Sequence, residues 1–271
     1  MALPNYASKG ERIAYMGYLL FCGFVLFFLI APILTIIPLS FNATPYFTFT
    51  EGMLSLDPEA YSVRWYQDMF TNEQWLLALK NSTFIALMAT LIATGLGTLA
   101  ALGLASSHLP FRNTIMALLI SPMIVPVIIS AAAMYFFYTR LGLSQTYMGI
   151  ILAHAALGTP FVVITVTATL SGFDQSLVKA AASLGANPVY TFRHVTFPLI
   201  RPGMISGGLF AFGTSFDEVV VALFLTGAEQ KTVPRQMWSG IREQISPTIL
   251  AVATLLIFMS VCLLVTLEIL R

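Results

Sequence analysis

The sequence predicts an all-α integral membrane protein with six transmembrane helices in one domain, residues 1–271. Three observations lead there. Hydrophobic residues make up 58% of the chain and charged residues 9%, where a soluble domain carries roughly 25% charge. The mean hydropathy is +0.85. The apolar residues gather into runs that meet the roughly 20 residues a membrane crossing needs. A net charge of +1 without any basic cluster argues against nucleic acid as a partner. Membrane lipid is the environment this composition demands.

The first run, Ile13 to Leu39, follows the basic residues Lys9 and Arg12. It is too long for a signal-peptide core and predicts a retained span. Ser40 to Trp75 is more polar and reads as an external loop, with SVRWYQDMF as an amphipathic piece suited to the headgroup level. The second span covers Leu76 to Ser106, and its small residues in ATGLGTLAALGLA permit close helix packing. A loop with His108, Pro110 and Arg112 leads to the third span, Ile115 to Thr139. Pro122 and Pro126 predict a kink there, facing protein or a cavity. The fourth span is Tyr147 to Leu170, with His154 read as a polar contact between helices ahead of a proton relay. The fifth is Gly203 to Leu225, and Thr226 to Pro247 is a second external loop. The sixth is Thr248 to Leu270. Cys22 and Cys262 both lie in apolar runs, so neither a disulfide framework nor a reactive thiol is expected.

Six crossings place both termini on one side. With the N-terminus inside, Lys9, Arg12, Arg112, Lys179, Arg193, Arg201 and Arg271 lie inside. Arg64, Lys80, Arg140, Lys231, Arg235 and Arg242 lie outside. That is a small positive-inside bias, and the short basic leader gives the same orientation. No internal repeat of the kind found in many secondary transporters is visible.

Between the fourth and fifth spans lies a polar hub, Gly172 to Pro202, GFDQSLVKAAASLGANPVYTFRHVTFPLIRP. Asp174 fits an N-cap. Leu177, Ala181 and Leu184 form one apolar stripe, with Lys179 and Ser183 off it. Gly185 suits a left-handed C-cap, and Pro188 suits the first turn of a second short helix. A small-residue helix held between two spans is built either to dock onto something outside the membrane or to lie on the bilayer surface.

The chain carries no phosphate-binding loop, no catalytic signature and no metal-spaced Cys/His cluster, so no enzyme activity is expected. Asp217 and Glu218 stand out, side by side in the fifth apolar run within FGTSFDEVVVALF. Carboxylates inside a membrane are costly and point to a pathway. On a continuous helix they diverge by about 100°, so one faces a pathway while the other packs against a neighbour; the alternative is a structural pair satisfied by a basic or hydroxyl group on a partner subunit. With Thr214 they form the candidate substrate pathway, and a negative site suits a cationic solute.

The hub resembles the EAA signature of binding-protein-dependent ABC importers. Lys179-Ala180-Ala181 is followed, at the signature's spacing, by Gly185, then Val195, then Phe197-Pro198. Lys179 stands where the signature has Glu, and Phe197 where it has Leu. The resemblance extends through TPFVVITVTATLSGFD, SFDEVVVALFLTG and VPRQMWSGIREQISPTILAVATLLI to the second permease subunit of spermidine/putrescine importers. It implies the MetI-like type I fold in a bacterial inner membrane, with both termini cytoplasmic. It also implies a homologous second permease subunit, two cytoplasmic ATPase subunits holding ATP and magnesium, and an external solute-binding protein. In that reading Lys179, Ala180, Ala181, Gly185, Val195 and Pro198 belong to a coupling helix seated on the ATPase. The implied solute is a polyamine. The same subfamily also resembles carriers of opines, 4-aminobutyrate, aminoethylphosphonate and ferric ions. A stand-alone secondary transporter and a membrane scaffold are the rival classes. The hub's spacing counts against the first and the membrane carboxylates against the second.

Overall fold

The computed structural model describes residues 8–105, 109–172, 174, 176–243 and 246–270. His108 and Arg271, both used in the sequence reading, lie outside the described residues. Every regular element among the described residues is helical: α1 Lys9–Leu39, α2 Glu51–Leu54, α3 Arg64–Thr71, α4 Glu73–Leu104, α5 Arg112–Ile124, α6 Val127–Arg140 and α7 Tyr147–Ser171. These are followed by α8 Ser176–Ser183, α9 Pro188–Thr191, α10 Phe197–Asp217, α11 Val220–Leu225, α12 Val233–Glu243 and α13 Thr248–Leu270. Among the described residues, five helices, or helical runs, are long and apolar enough to cross a membrane. A sixth crossing exists if the bent pair α5 and α6 counts as one.

Two compact units divide the chain. The first holds Met1–Met69 and Ile245–Phe258. Helix α1 opens with a capping box. Ser8 Oγ accepts from the Glu11 N–H, and Glu11 Oε2 accepts from the Ser8 N–H at 2.7 Å. No residue of its apolar window is buried, so its side chains face hydrocarbon or a partner. The segment after it is an ordered fold rather than an open loop. Buried Asn42 organises it, donating to the Tyr46 and Thr48 carbonyls and accepting from the Thr44 N–H and hydroxyl. Trp65 donates its indole N–H to the Asn42 carbonyl at 2.7 Å, and Tyr66 OH pairs with Ser40 Oγ at 2.7 Å. The two aromatics expected at the headgroup level therefore turn their polar tips inward. Thr248 Oγ1 donates to Asp68 Oδ2 at 2.7 Å.

The second unit holds Phe70–Gln244 and Met259–Arg271. Its centre is α4, α7 and α10 packed together. Small residues allow the close approach. A Cβ added at Gly207 would sit 2.7 Å from Val162 Cα, and one at Gly158 would sit 2.9 Å from Ala211 Cβ. Helices α4 and α7 run parallel. Asn81, near the start of α4, bonds Tyr147 at the start of α7. Ala101, near the end of α4, shares a buried cluster with Val166 and Leu170, near the end of α7.

The third apolar run breaks more sharply than a kink: α5 and α6 meet at 100°. Pro126 has no N–H to continue the helix, and it pushes the preceding Val125 to extended φ −69°, ψ 133°. The fifth run also departs from a continuous helix. Helix α10 stops at Asp217, Glu218 is extended with ψ 114°, and α11 restarts at Val220. Upstream, α9, a π-helical turn at Phe192–Thr196 and α10 form one run from Pro188 to Asp217. The hub therefore joins the fifth span without a loop at Pro198 or Pro202. Pro198 cannot donate to the His194 carbonyl, which fits the widened turn just before it.

Candidate functional site

The two helix breaks face one cavity of about 390 Å³. Pro122 to Val127, spanning the α5–α6 break, form one wall. Leu157 and Phe161 come from α7, and Thr214 and Glu218 from the α10–α11 break. Non-helical backbone at membrane depth is tolerated where it lines such a cavity.

Glu218 explains how the second break is sustained. Its Oε1 accepts from the N–H groups of Val220 at 2.7 Å and Val221 at 3.0 Å. The carboxylate satisfies the first donors of α11 and complements the positive end of that helix. The continuous-helix expectation for the acidic pair is thereby corrected. Asp217 closes one helix and Glu218 caps the next, because the break falls between them. Asp217 is exposed and Glu218 half-buried. Thr214 and Glu218 share the cavity lining. One turn back, buried Ser215 holds buried His154 through Oγ and Nδ1, 2.8 Å apart. His154 is thus a contact between α7 and α10. Its Nε2 has no partner among the described residues.

Beyond α11 a polar network ties down the chain that follows, and the sequence reading did not find it. Arg235 Nη1 donates to the Thr226 carbonyl and hydroxyl and, at 2.8 Å, to the Gly227 carbonyl. Partial burial pushes the guanidinium's pKa down, yet it stays charged. Asn81 donates to the Glu229 and Lys231 carbonyls, Tyr147 OH to the Glu229 carbonyl, and the Val233 N–H to Ser82 Oγ. The Gln145 N–H donates to the Leu225 carbonyl at 2.8 Å. The half-helix α11 is therefore fixed at both ends, by Glu218 and by Arg235 with Gln145. The one available sequence signal was Asn81-Ser82, polar residues within an apolar run.

At the other end of the α9–α10 run sits the hub. Asp174 accepts from the Ser176 N–H at 2.8 Å and from the Ser176 hydroxyl at 2.7 Å. These bonds hold its carboxyl below the usual range, so it is charged at neutral pH. Gly185 takes φ +81°, and Asn187 caps α9 with Pro188 in its first turn. Lys179 and Ala180 are exposed, Ala181 is half-buried, Val195 lies in the π turn and Pro198 in the first turn of α10. Leu184 is 89% and Val189 76% exposed, so the hub presents apolar surface. The hub residues and the cavity residues are not brought together. Thirty residues of helix, roughly 45 Å, separate the ends of that run.

A membrane protein with discontinuous helices around a cavity, and with an exposed helix between two spans, has the architecture of a transport-system component. Residues 93–271 match the family described as binding-protein-dependent transport system inner membrane component, and the chain belongs to that family. It is 30% identical over 238 residues to the spermidine/putrescine transport system permease protein PotC of Haemophilus influenzae, covering 88% of this chain and 90% of that one. It is 31% identical over 246 residues to the putrescine transport system permease protein PotI of Escherichia coli, covering 88% and 84%. Among solved structures, it is similar to a bacterial ABC transporter involved in import of the acidic polysaccharide alginate. There the TM-score is 0.74 at 16% identity, covering 98% of this chain and 99% of that one. The last likeness is one of fold.

Proposed function

We propose that the chain is one permease subunit of an ATP-driven, binding-protein-dependent importer and forms half of its translocation pathway. It crosses the bacterial inner membrane six times, with both termini cytoplasmic. A homologous permease subunit supplies the other half. Two cytoplasmic ATPase subunits bind ATP and magnesium, so this chain is not itself an enzyme. An external solute-binding protein delivers the solute. The hub, through Lys179, Ala180, Ala181, Gly185, Val195 and Pro198, couples to the ATPase. Its exposed small and apolar residues support that role. ATP binding shifts the subunits between inward- and outward-open states through its differential affinity for the two.

The observation that carries the pathway reading is the cavity shared by the two helix breaks. Its carboxylate and hydroxyl, set among apolar walls, match a chain of methylenes carrying ammonium groups. With the polyamine permeases among the relatives, this makes spermidine or putrescine the solute. Asp217 lies at the pathway's edge. The test is uptake of labelled spermidine into proteoliposomes holding the complete importer and its binding protein. Uptake should require ATP and be inhibited by putrescine. Uptake that ran without ATP would sink the importer reading. ATP-dependent uptake of 4-aminobutyrate but not of spermidine would overturn the solute assignment alone.

A further inference from the structure

Between α11 and α12 lies a second cavity, of about 280 Å³, lined by Leu223, Arg235, Trp238, Ser239 and Arg242. The four α12 residues stand at i, i+3, i+4 and i+7, which places them on one face of that helix. Arg235 is held there through Nη1, which among the described residues donates to the Thr226 carbonyl and hydroxyl and to the Gly227 carbonyl. Its remaining N–H groups form a planar, pre-set fork suited to a phosphate. The opposite wall is Leu223, which belongs to the fifth apolar run and is exposed. Trp238 and Ile241 are also exposed on α12, at 47% and 49%. An amphipathic helix bearing arginine and tryptophan directly after an apolar run suits the membrane–water boundary.

We propose that this cavity binds the phosphodiester headgroup of a membrane phospholipid. Arg235 and Arg242 hold the phosphate oxygens, with Ser239 Oγ as a further donor. Leu223 and the Trp238 ring lie against the glycerol and the first acyl carbons. The apolar wall decides between ligands. A free phosphate gains nothing from Leu223. An acidic side chain arriving from water on another protein has no need of a wall drawn from a membrane segment. A phospholipid presents anionic oxygens and hydrocarbon at one depth. The site stands apart from the solute pathway and does not depend on which solute the chain carries.

The test uses the full chain in detergent micelles, titrated with dioleoyl-phosphatidylglycerol and read by native mass spectrometry. One tightly retained lipid per chain is expected. Arg242→Gln should lower that retention about five-fold, the worth of one arginine near a lipid surface. Arg140→Gln, a basic residue exposed at the end of α6, should leave it unchanged. Inorganic phosphate at equal concentration should not displace the lipid. Ser239→Ala should give a smaller loss, about three-fold, and keeps the test open if the arginine variant does not fold. Equal retention in the Arg242 and Arg140 variants overturns the proposal. So does displacement by inorganic phosphate, which makes the site one for a free anion. Loss of solute-binding-protein affinity in Arg242→Gln with lipid retained also overturns it, and makes the cavity a protein docking surface.

Discussion

Glu218 combines two roles that a single substitution can separate. As a cap it needs chiefly an acceptor oxygen, its charge adding a smaller interaction with the start of α11; as a pathway group it needs charge. Glu218→Gln keeps an oxygen for the Val220 and Val221 N–H groups. It should lower the melting temperature of the purified chain only slightly, through the lost charge at the start of α11, while lowering uptake of a cationic solute roughly ten-fold, the scale of one charge-assisted contact. Glu218→Ala should lower uptake and also cost about 1 kcal/mol of stability through the lost cap. Equal uptake by wild type and Glu218→Gln would reduce the residue to its structural role. His154 is a buried contact between helices α7 and α10. Ser215→Ala strips the buried imidazole of its described partner. It should cost roughly 1–3 kcal/mol in a thermal melt. At this scale the sequence was half legible. Two carboxylates in an apolar run announce themselves by their cost, and so does a lone histidine. The fact that one carboxylate caps a broken helix was hidden, because Glu218 reaches the first N–H groups of α11 from the position before its N-cap, Val219, and no local pattern announced the break.

Helices were readable where one cause acts locally. Gly185 and Pro188 punctuate the hub by their own backbone chemistry, and the structure places a left-handed turn and a first helical turn at those positions, with Asn187 added as the cap between them. What connects α11 to the rest was not readable, since Asn81 reaches Glu229 across 148 residues. The same long range hides which glycines matter. Gly207 packs against Val162, while a Cβ at Gly213 meets nothing within 4 Å. Gly207→Ala should therefore destabilise by about 1–3 kcal/mol, and Gly213→Ala should be nearly neutral, measured by thermal melting in detergent. Gly185 gives the test of docking. Its left-handed φ favours glycine or asparagine, but the space around it is open. Gly185→Asn should fold and transport normally. Gly185→Trp should insert in the membrane at the wild-type level, yet uncouple ATP hydrolysis from uptake in the assembled importer. Wild-type transport in that variant would remove the hub from the coupling mechanism.

For the whole molecule the open quantity is the parity of crossings, because a pair bent by 100° reads equally as a broken span or as a loop that returns to its own side. The direction of its neighbours decides. Helices α4 and α7 are parallel, as the Asn81–Tyr147 bond at their starts and the Ala101–Leu170 cluster near their ends require. A chain that leaves the end of one helix and enters the start of a parallel neighbour must travel the length between them. Only α5 and α6 lie between. With 13 and 14 residues, each reaches roughly 20 Å, short of a bilayer core of about 30 Å. They must make the journey together. In the proposed six-span reading, α1, α4, the α5–α6 pair, α7, the α10–α11 pair and α13 make an even number of crossings, which returns both termini to one face. Cysteines introduced singly in place of Ser8, Ser183, Glu229 and Glu268, with Cys22 and Cys262 replaced by alanine, make this measurable with a membrane-impermeant maleimide on right-side-out vesicles. The Glu229→Cys variant should react at once. The variants at Ser8, Ser183 and Glu268 should react only after permeabilisation. Labelling of Ser8→Cys and Glu268→Cys from opposite faces would mean that the α5–α6 pair does not cross, and the six-span reading would fall with it.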